Sequence, residues 1–435
     1  MNSTHNWGGD FALYIHQAQG LLNGNVEEVA AINGYALQHS GYNTFSPELY
    51  PWGWPLLLVP MVAIAGVNYL WMKVYVLGFF LGASFLAYRI VARETSKTKG
   101  LLVAGCVAFN APLLLYTGNV LSEFPFLFFV LLSLWTYRRF GRSRQSGNCR
   151  GQGVMDALVT GFVLFFTTII RSEGFLLVGA ILLHECFEFL ESKHKRVFLH
   201  RYRMHGMLWL FFAVFTVLYQ VVLPQGSGAH LEHFKLFQAS TIQNNLNFYG
   251  FKLSSFFGPY LNGSFIRVLL MVSYAGMVRR WRNDREMVLF VVFLQALLLV
   301  WPHQSTRYLF VQLPFLFYFL MEGLEVIGFA ISIKRHRFSL AGLFMAFLLS
   351  GLVVDAVRVV PDRFVEDSIT EGPETPDARE MFSFIRQETA AGSSIVFFKP
   401  RVMSLYTGRK SFLVDEGPES ARKEGDYLVI HKFMG

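Results

Sequence analysis

The chain has 435 residues, of which 53% are hydrophobic and only 16% are charged, with 45 Phe among them. This composition excludes an ordinary soluble domain, because several stretches near 20 residues carry few charges and can cross a hydrocarbon layer of ~30 Å. The 38 Lys and Arg exceed the 30 Asp and Glu. They stand in short loops between apolar segments, so membrane orientation explains them better than nucleic-acid binding does.

The first 67 residues are predicted to form an extracytoplasmic loop. Residues 1–72 contain no Lys or Arg, and segment 52–66 is short for a span and favours a re-entrant or interfacial helix. If that helix is re-entrant, Asp10 lies outside; if it spans, Asp10 lies in the cytoplasm. An N-terminus does not readily start outside without a preceding signal, so we expect a first transmembrane helix upstream of this sequence.

The central part, residues 68–360, is predicted to be an all-α membrane domain. Its apolar segments, each near the length of a span, indicate a multi-pass protein of the inner or plasma membrane. The ten predicted spanning helices cover residues 68–92, 101–121, 124–140, 155–171, 174–191, 206–223, 265–283, 286–302, 306–332 and 338–359.

Alternate connections between these helices carry clusters of Arg and Lys, whereas the loop 224–264 holds only Lys235 and Lys252. The positive-inside rule places the clusters in the cytoplasm, so the loop 224–264 and the residues after 361 are expected outside. The clusters are Arg93, Lys97 and Lys99; Arg138, Arg139, Arg142, Arg144 and Arg150; Lys193, Lys195, Arg196, Arg201 and Arg203; Arg279, Arg280, Arg282 and Arg285; and Lys334, Arg335 and Arg337.

Two outer segments differ in character from the apolar helices. Residues 361–435 contain a charged amphipathic stretch at 377–388 and three short apolar runs, which predict a small extracytoplasmic α/β domain. The loop 224–264 is rich in Asn, Gln and aromatic residues. It suits either carbohydrate binding or an interfacial helix with an aromatic belt.

Several motifs are predicted at the outer ends of helices. Asp10 is the only charged residue in the first 26 positions, and Tyr14 and Ala18 follow it at helical spacing. The remaining motifs, in chain order, are Tyr50-Pro51, Ser122-Glu123, Arg171-Ser172-Glu173-Gly174 and Arg307-Tyr308-Leu309.

Together and in this order, these motifs resemble the GT-C membrane glycosyltransferases, in the branch of protein O-mannosyltransferases and lipid A aminoarabinose transferases. The resemblance covers residues 10–175 and 303–315; elsewhere only the topology agrees. It implies a sugar donor carried on a polyprenyl phosphate and a glycan, lipid or protein acceptor outside the membrane. Gly9-Asp10 stands where these proteins more commonly have an acidic pair, so the second carboxylate is absent.

Asp10 is the predicted catalytic residue. A polyprenyl phosphate leaves as an anion and needs no protonation, so one general base for the acceptor hydroxyl suffices, unlike the two carboxylates of a glycosidase. The competing interpretation is that Asp10 only caps a helix, because Asp before Phe-Ala-Leu is a good N-cap.

The departing phosphate needs fixed positive charge, which Arg307 is predicted to supply. Lys73 and Arg267 also fall at outer helix ends, where snorkelling to lipid headgroups is the simpler interpretation. Glu123 is expected to orient the donor sugar, bind a divalent cation, or pair with Arg171. No metal site is assigned, so a divalent cation is only an option. The predicted substrate-binding residues are Tyr14, Glu123, Arg171, Glu173, His303, Arg307 and Tyr308.

Two other functions compete with a transferase. A lipid-linked glycan flippase or transporter would show broken helices and inverted repeats around a midplane site, and the sequence has no internal repeat. A non-catalytic scaffold would use the outer C-terminal domain to bind a partner of the cell envelope. The gathering of polar residues at the outer edge favours the enzyme.

Overall fold

The computed structural model describes residues 3–41, 47–143, 150–192, 195–226, 234–328, 330–333, 336–366, 371–414 and 425–430. Helices dominate this part of the chain. Some residues used in the orientation argument lie outside the described ranges, namely Arg144, Lys193, Lys334 and Arg335.

The predicted first loop folds as three helices, α1 (Asp10–Asn23), α2 (Val26–His39) and α3 (Gly53–Ala65). Helix α1 ends at Gly24, whose φ of 73° is the left-handed conformation that glycine adopts without strain. Helix α3 is the predicted re-entrant segment. Its 13 residues reach only about 20 Å at 1.5 Å per residue, which is less than the hydrocarbon thickness.

Twelve further helices continue the described chain up to residue 366, and most coincide with predicted spans. They are α4 (Tyr69–Glu94), α5 (Lys97–Ala108), α6 (Ala111–Tyr116), α7 (Glu123–Ser143), α8 (Arg150–Ile170), α9 (Gly174–Glu191), α10 (Lys195–Val222), α11 (Ala239–Ser254), α12 (Gly263–Arg280), α13 (Arg285–Val300), α14 (Leu313–Ile327) and α15 (Leu340–Glu366). Short 3₁₀ turns cover Phe234–Leu236, Ser255–Phe257 and Thr306–Gln312.

Five stretches of the described chain are long and apolar enough to cross a membrane, so the prediction of ten spans is supported only in part. The other helices are shorter or carry too many charges for the same assignment. The five stretches are Tyr69–Glu94, Gly153–Ile170, Met204–Val222, Thr306–Ile327 and Leu340–Pro361.

Two predicted spans differ from the helices of the structure. The segment 101–121 is divided into α5 and α6, with Pro112 in the first turn of α6, and Asn110 between them donates a hydrogen bond to the carbonyl of Phe256 at 2.8 Å. The span 306–332 ends at Ile327, and an antiparallel hairpin of β1 (Ala330–Ile333) and β2 (His336–Ser339) follows it.

Helices α12 and α14 approach closely through one glycine on each. A Cβ on Gly276 of α12 would overlap the carbonyl oxygen of Phe319 in α14, and one on Gly323 would overlap that of Val272. Small residues that let backbones approach are typical of helix crossings inside membranes.

The last described ranges, 371–414 and 425–430, form a unit that we call the C-terminal segment. It contains α16 (Pro376–Glu388), β3 (Ser394–Val396), α17 (Pro400–Thr407), β4 (Lys410–Phe412) and β5 (Tyr427–Leu428). The parallel strands lie in the order β4-β3-β5, as expected for the predicted small α/β unit.

The C-terminal segment packs directly on the first loop. The N–H of Gly41 donates to the carbonyl of Leu413 at 3.0 Å, and the N–H of Leu413 donates to Ser40 Oγ at 3.1 Å. Helix α17 also contacts α1. The two regions, far apart in sequence, therefore pack against each other.

Candidate active site

All eight predicted site residues line a single cavity of about 490 Å³. The cavity lies where the first turns of α1 and α7, the end of α8 and the 3₁₀ turn after α13 converge. The predicted residues in its wall are Asp10, Tyr14, Glu123, Arg171, Glu173, His303, Arg307 and Tyr308.

Asp10 is the first residue of α1, and its carboxylate lies near three side chains, those of Tyr50, Arg307 and Arg401. Its Oδ1 accepts a hydrogen bond from the Tyr50 hydroxyl at 2.7 Å, and its Oδ2 lies 2.7 Å from Arg307 Nη1. The N-cap of α1 is Gly9, and no side chain caps this helix end. The N-cap interpretation of Asp10 is therefore wrong.

The surroundings of Asp10 favour its charged form. Burial alone would raise the pKa of this carboxyl, but the guanidinium groups of Arg307 and Arg401 and the hydrogen bond from Tyr50 hold the pKa below its ordinary value of 3.8. About a quarter of the side chain, 26%, stays exposed. Asp10 is thus an accessible carboxylate at neutral pH.

A chain of alternating charges runs from Asp10 across the cavity. Glu123 Oε1 lies 3.4 Å from Arg307 Nε and 2.9 Å from Arg171 Nη1, and Arg171 Nη2 contacts Glu173 Oε1 at 2.7 Å. Glu173 is therefore the ion-pair partner of Arg171, and Glu123 bridges two arginines. Among the described residues, Glu123 Oε2 is buried without a hydrogen-bond partner, which leaves it available to a donor from a ligand.

The floor of the site is held by residues of α1. Gln17 makes two hydrogen bonds with the backbone of Tyr50, at 2.9 Å to its carbonyl and 3.0 Å from its N–H. The rings of Tyr14 and Tyr50 stack at 4.5 Å, and the Tyr14 hydroxyl lies 3.0 Å from Ser122 Oγ. These contacts fix the Tyr50 hydroxyl against Asp10.

His303 and Tyr308 flank the charged chain. The ring of Tyr308 lies beside both guanidinium groups, with centroid distances of 5.9 Å to Arg171 and 5.7 Å to Arg307. The loop before them is fixed by Asn245, whose side-chain amide lies 2.7–3.0 Å from the carbonyls of Leu298, Leu299 and Trp301. Asn245 thus has a structural role within the amide-rich loop.

The other two outer cations that the sequence singled out do not line this cavity. Lys73 is buried and donates to the carbonyl of Thr4, so snorkelling does not describe it. Arg267 is exposed, and among the residues that the structure describes it bonds to Gly263 and Ser264 of its own helical turn. Its position agrees with the snorkelling interpretation.

Sequence analysis missed one charged residue of the site, Arg401 of α17. Its Nη1 lies 3.2 Å from the Tyr50 hydroxyl and 3.8 Å from Asp10 Oδ1, and its Nη2 donates to the carbonyl of Pro47 at 2.8 Å. The role of the Tyr50 hydroxyl was also missed, although the Tyr50-Pro51 motif had marked the position.

Most of the remaining cavity wall is apolar. Leu294, Leu297 and Leu298 of α13 form part of it, so charged and apolar surfaces line the same cavity. The apolar lining consists of Pro47, Pro51, Phe126, Ile170, Leu176, Phe234, Leu294, Leu297, Leu298, Trp301, Phe310 and Val311.

Within the described ranges, no three or more His, Cys, Asp or Glu side chains come together in a way that would hold a metal ion. The carboxylates of Asp10 and Glu123 are both engaged by Arg307.

No protein-family model and no curated protein matches the chain, but solved structures do. An Archaeoglobus fulgidus oligosaccharyltransferase tethered with an acceptor peptide is 12% identical, with a TM-score of 0.57 over 97% of this chain and 62% of that one. ArnT from Cupriavidus metallidurans in the apo state is 12% identical, with a TM-score of 0.58 over 96% of this chain and 83% of that one.

A third structure, archaeal oligosaccharyltransferase AglB from Archaeoglobus fulgidus in complex with an inhibitory peptide and a dolichol-phosphate, is 11% identical. Its TM-score is 0.55, over 94% of this chain and 61% of that one. The chain thus spans under two thirds of the archaeal enzymes. The fold is that of GT-C membrane glycosyltransferases, and the resemblance predicted from the motifs is confirmed at that level.

Proposed function

We propose that this protein is a membrane glycosyltransferase that moves a sugar from a polyprenyl phosphate to an extracytoplasmic acceptor. The observation that carries the proposal is the 2.7 Å contact between Asp10 and Arg307 in a cavity that is lined by both charged and apolar residues. The site thus holds a candidate base for the acceptor and a candidate binding group for the leaving phosphate, which are the two functions that the transfer needs.

The shape of the cavity supports a lipid-linked donor. The apolar wall along α13 suits a prenyl chain, and the adjoining guanidinium groups of Arg171 and Arg307 suit its phosphate. One similar structure holds a dolichol-phosphate, which is a ligand of the same chemical class. Glu123, with one buried oxygen lacking a partner, is placed to accept a hydrogen bond from the donor sugar.

The proposed reaction is a single displacement with inversion at the anomeric carbon. The acceptor oxygen attacks that carbon and its proton passes to Asp10, while the bond from the carbon to the phosphate oxygen breaks and its electron pair leaves with the phosphate. In the free protein Arg307 is paired with Asp10. Donor binding then places the phosphate against Arg307, which releases the carboxylate towards the acceptor.

Transfer fits this site better than the two competing functions. A flippase would need a path for the glycan near the middle of the membrane, whereas Asp10 and Glu123 stand at helix ends and Arg307 in a 3₁₀ turn, on the side that we propose to be extracytoplasmic. A scaffold gives no reason for a carboxylate held charged beside an open cavity.

The test is an assay on membranes that contain the protein, with a panel of polyprenyl-phosphate-linked sugars and extracted acceptors. Sugar transfer from at least one donor, lost in Asp10→Asn, is the expected result. Absence of transfer from every donor, together with energy-independent translocation of one of them, would favour the flippase.

The outward orientation of the site has its own test. Single cysteines at the exposed positions Ser240 and Gln387 should react with a membrane-impermeant thiol reagent from outside, and one at Thr98 only from the cytoplasm. The native cysteines Cys106, Cys149 and Cys186 are replaced first. Labelling of Gln387→Cys from the cytoplasmic side would put the C-terminal segment, and Asp10 with it, on the wrong face.

A further inference from the structure

The C-terminal segment places a guanidinium group directly behind the Asp10 carboxylate. Arg401 is only 7% exposed and stands on α17, a helix that contacts α1. Its Nη1 reaches the Tyr50 hydroxyl at 3.2 Å, and that hydroxyl donates to Asp10 Oδ1 at 2.7 Å. A residue near the end of the chain thereby contacts the site formed by its beginning.

Arg401 is also anchored by contacts that do not involve Asp10. It donates to the carbonyl of Pro47 at 2.8 Å, and its guanidinium lies 5.3 Å from the centre of the Tyr50 ring. Arg401 does not line the cavity, whereas Arg307 does. The two arginines also approach opposite oxygens of Asp10, Arg401 near Oδ1 and Arg307 at Oδ2.

We infer that Arg401 is a positioning residue for Asp10, which keeps the carboxylate oriented and charged after Arg307 has turned to the donor's phosphate. The transfer of Arg307 from Asp10 to the phosphate rests on the proposed function, but the effect of Arg401 on Asp10 does not. It follows that the C-terminal segment completes the site and is no separate binding module.

The effect of Arg401 on Asp10 can be measured as the pH at which the Asp10 carboxyl takes up a proton. Burial raises the pKa of the Tyr50 hydroxyl, so Tyr50 stays protonated and remains a hydrogen-bond donor throughout the pH range of the experiment. Removing Arg401 therefore removes one of two cations that favour ionised Asp10, and the carboxyl should take up a proton at higher pH. The groups that face Asp10 from the packed elements are Tyr14, Tyr50, Arg307 and Arg401, with Glu123, Arg171 and Glu173 beyond them.

The chain offers a matched control in the same helix. The Tyr406 hydroxyl of α17 lies 2.7 Å from that of Tyr69 and donates to Glu374. Tyr406→Phe therefore weakens the docking of the C-terminal segment without touching Asp10. It separates loosened docking from loss of the Arg401 charge.

The experiment measures protonation of Asp10 without any sugar substrate. Carbodiimide coupling of an amine to protonated carboxyls is followed against pH in the purified full chain, and mass spectrometry quantifies the peptide that contains Asp10. The variants are Arg401→Gln, Arg401→Met, Arg401→Lys and the control Tyr406→Phe. Arg401→Met removes the charge but keeps a long apolar side chain. Thermal unfolding verifies that each is folded.

The half-maximal labelling of Asp10 should move up by about one pH unit in Arg401→Gln and Arg401→Met. It should stay near the wild-type pH in Arg401→Lys, which keeps the charge, and in Tyr406→Phe. An equal movement in Tyr406→Phe would mean that docking alone matters, and no movement in either neutral variant would mean that Arg401 is purely structural. Both results overturn the inference, and neither depends on whether the protein transfers sugar.

Discussion

Replacing Asp10 by Asn is the change that separates catalysis from structure most directly. The two carboxylate oxygens accept from two different donors, the Tyr50 hydroxyl and Arg307 Nη1, each at 2.7 Å. An Asn side chain has the same shape but presents one oxygen and one NH₂ group. If the NH₂ group faces Arg307, two donors oppose each other; if it faces Tyr50, the hydroxyl loses the acceptor for its own proton. In either case the side chain can no longer take a proton.

The magnitudes of the two effects differ. Loss of a hydrogen bond to a charged group costs about 1.5–3 kcal/mol, and the lower end applies because the Asp10 side chain is 26% exposed and partly screened by solvent. A positioned general base contributes about 10²–10⁴-fold in rate, which corresponds to ~2.7–5.5 kcal/mol of barrier. Activity should therefore fall much further than stability.

The pH dependence follows from the lowered pKa of Asp10. Because the folded carboxyl has a pKa below 3.8, its stabilising contribution is fully present above the ordinary value and is lost as the pH falls through the folded one. The difference in midpoint of thermal unfolding between wild type and Asp10→Asn should be constant from about pH 5 to 8. It should shrink only at more acidic pH.

The assay is sugar transfer in membranes, normalised to the amount of inserted protein. Tyr50→Phe is the matched control, because it removes one hydrogen bond to Asp10 but leaves the carboxylate able to act as a base. We expect Asp10→Asn to lose about 10²–10⁴-fold and Tyr50→Phe to lose far less. Near-normal turnover in Asp10→Asn, or an equal loss in both variants, would refute the assignment of Asp10 as the base.

Three further predictions concern the surrounding structure. Arg307→Ala should weaken use of the donor by roughly 10- to 150-fold, from ~1.5–3 kcal/mol, with partial rescue by Arg307→Lys and no effect of Arg267→Ala; unchanged donor kinetics would contradict phosphate binding. Asn245→Asp leaves three carbonyls facing a carboxylate and should lower stability in detergent by at least ~1–3 kcal/mol; an unchanged unfolding midpoint would show that the loop is held otherwise. Gly276→Ala should prevent close packing of α12 on α14 and reduce the folded yield, whereas Gly78→Ala, with open space around it, should not; equal yields would disprove the contact.

All eight site residues predicted from the sequence line the cavity. Their selection rested on the resemblance of the motifs to GT-C membrane glycosyltransferases, and the charged ones also stand out because a charge at the end of an apolar helix is costly. The C-terminal α/β unit was predicted from an amphipathic stretch and short apolar runs, which are local signals that periodicity and hydropathy report directly.

The helix boundaries depended on contacts that the sequence does not display. Hydropathy is continuous across Asn110, but Pro112 and the hydrogen bond from Asn110 to Phe256 break the helix there. Which helices cross the membrane is likewise supported for only part of the predicted set.

Arg401 marks the limit of the sequence argument. It stands 351 residues after Tyr50, in a segment with no motif, and an arginine in a small α/β unit gives no sign of where it points. Only the packing of α17 on α1 brings its guanidinium to the Tyr50 hydroxyl and Asp10. The sequence by itself predicted the membrane class and, through its motifs, eight of the residues that line the cavity. The tertiary structure decided their pairing, because ion pairs form between side chains that only folding brings together.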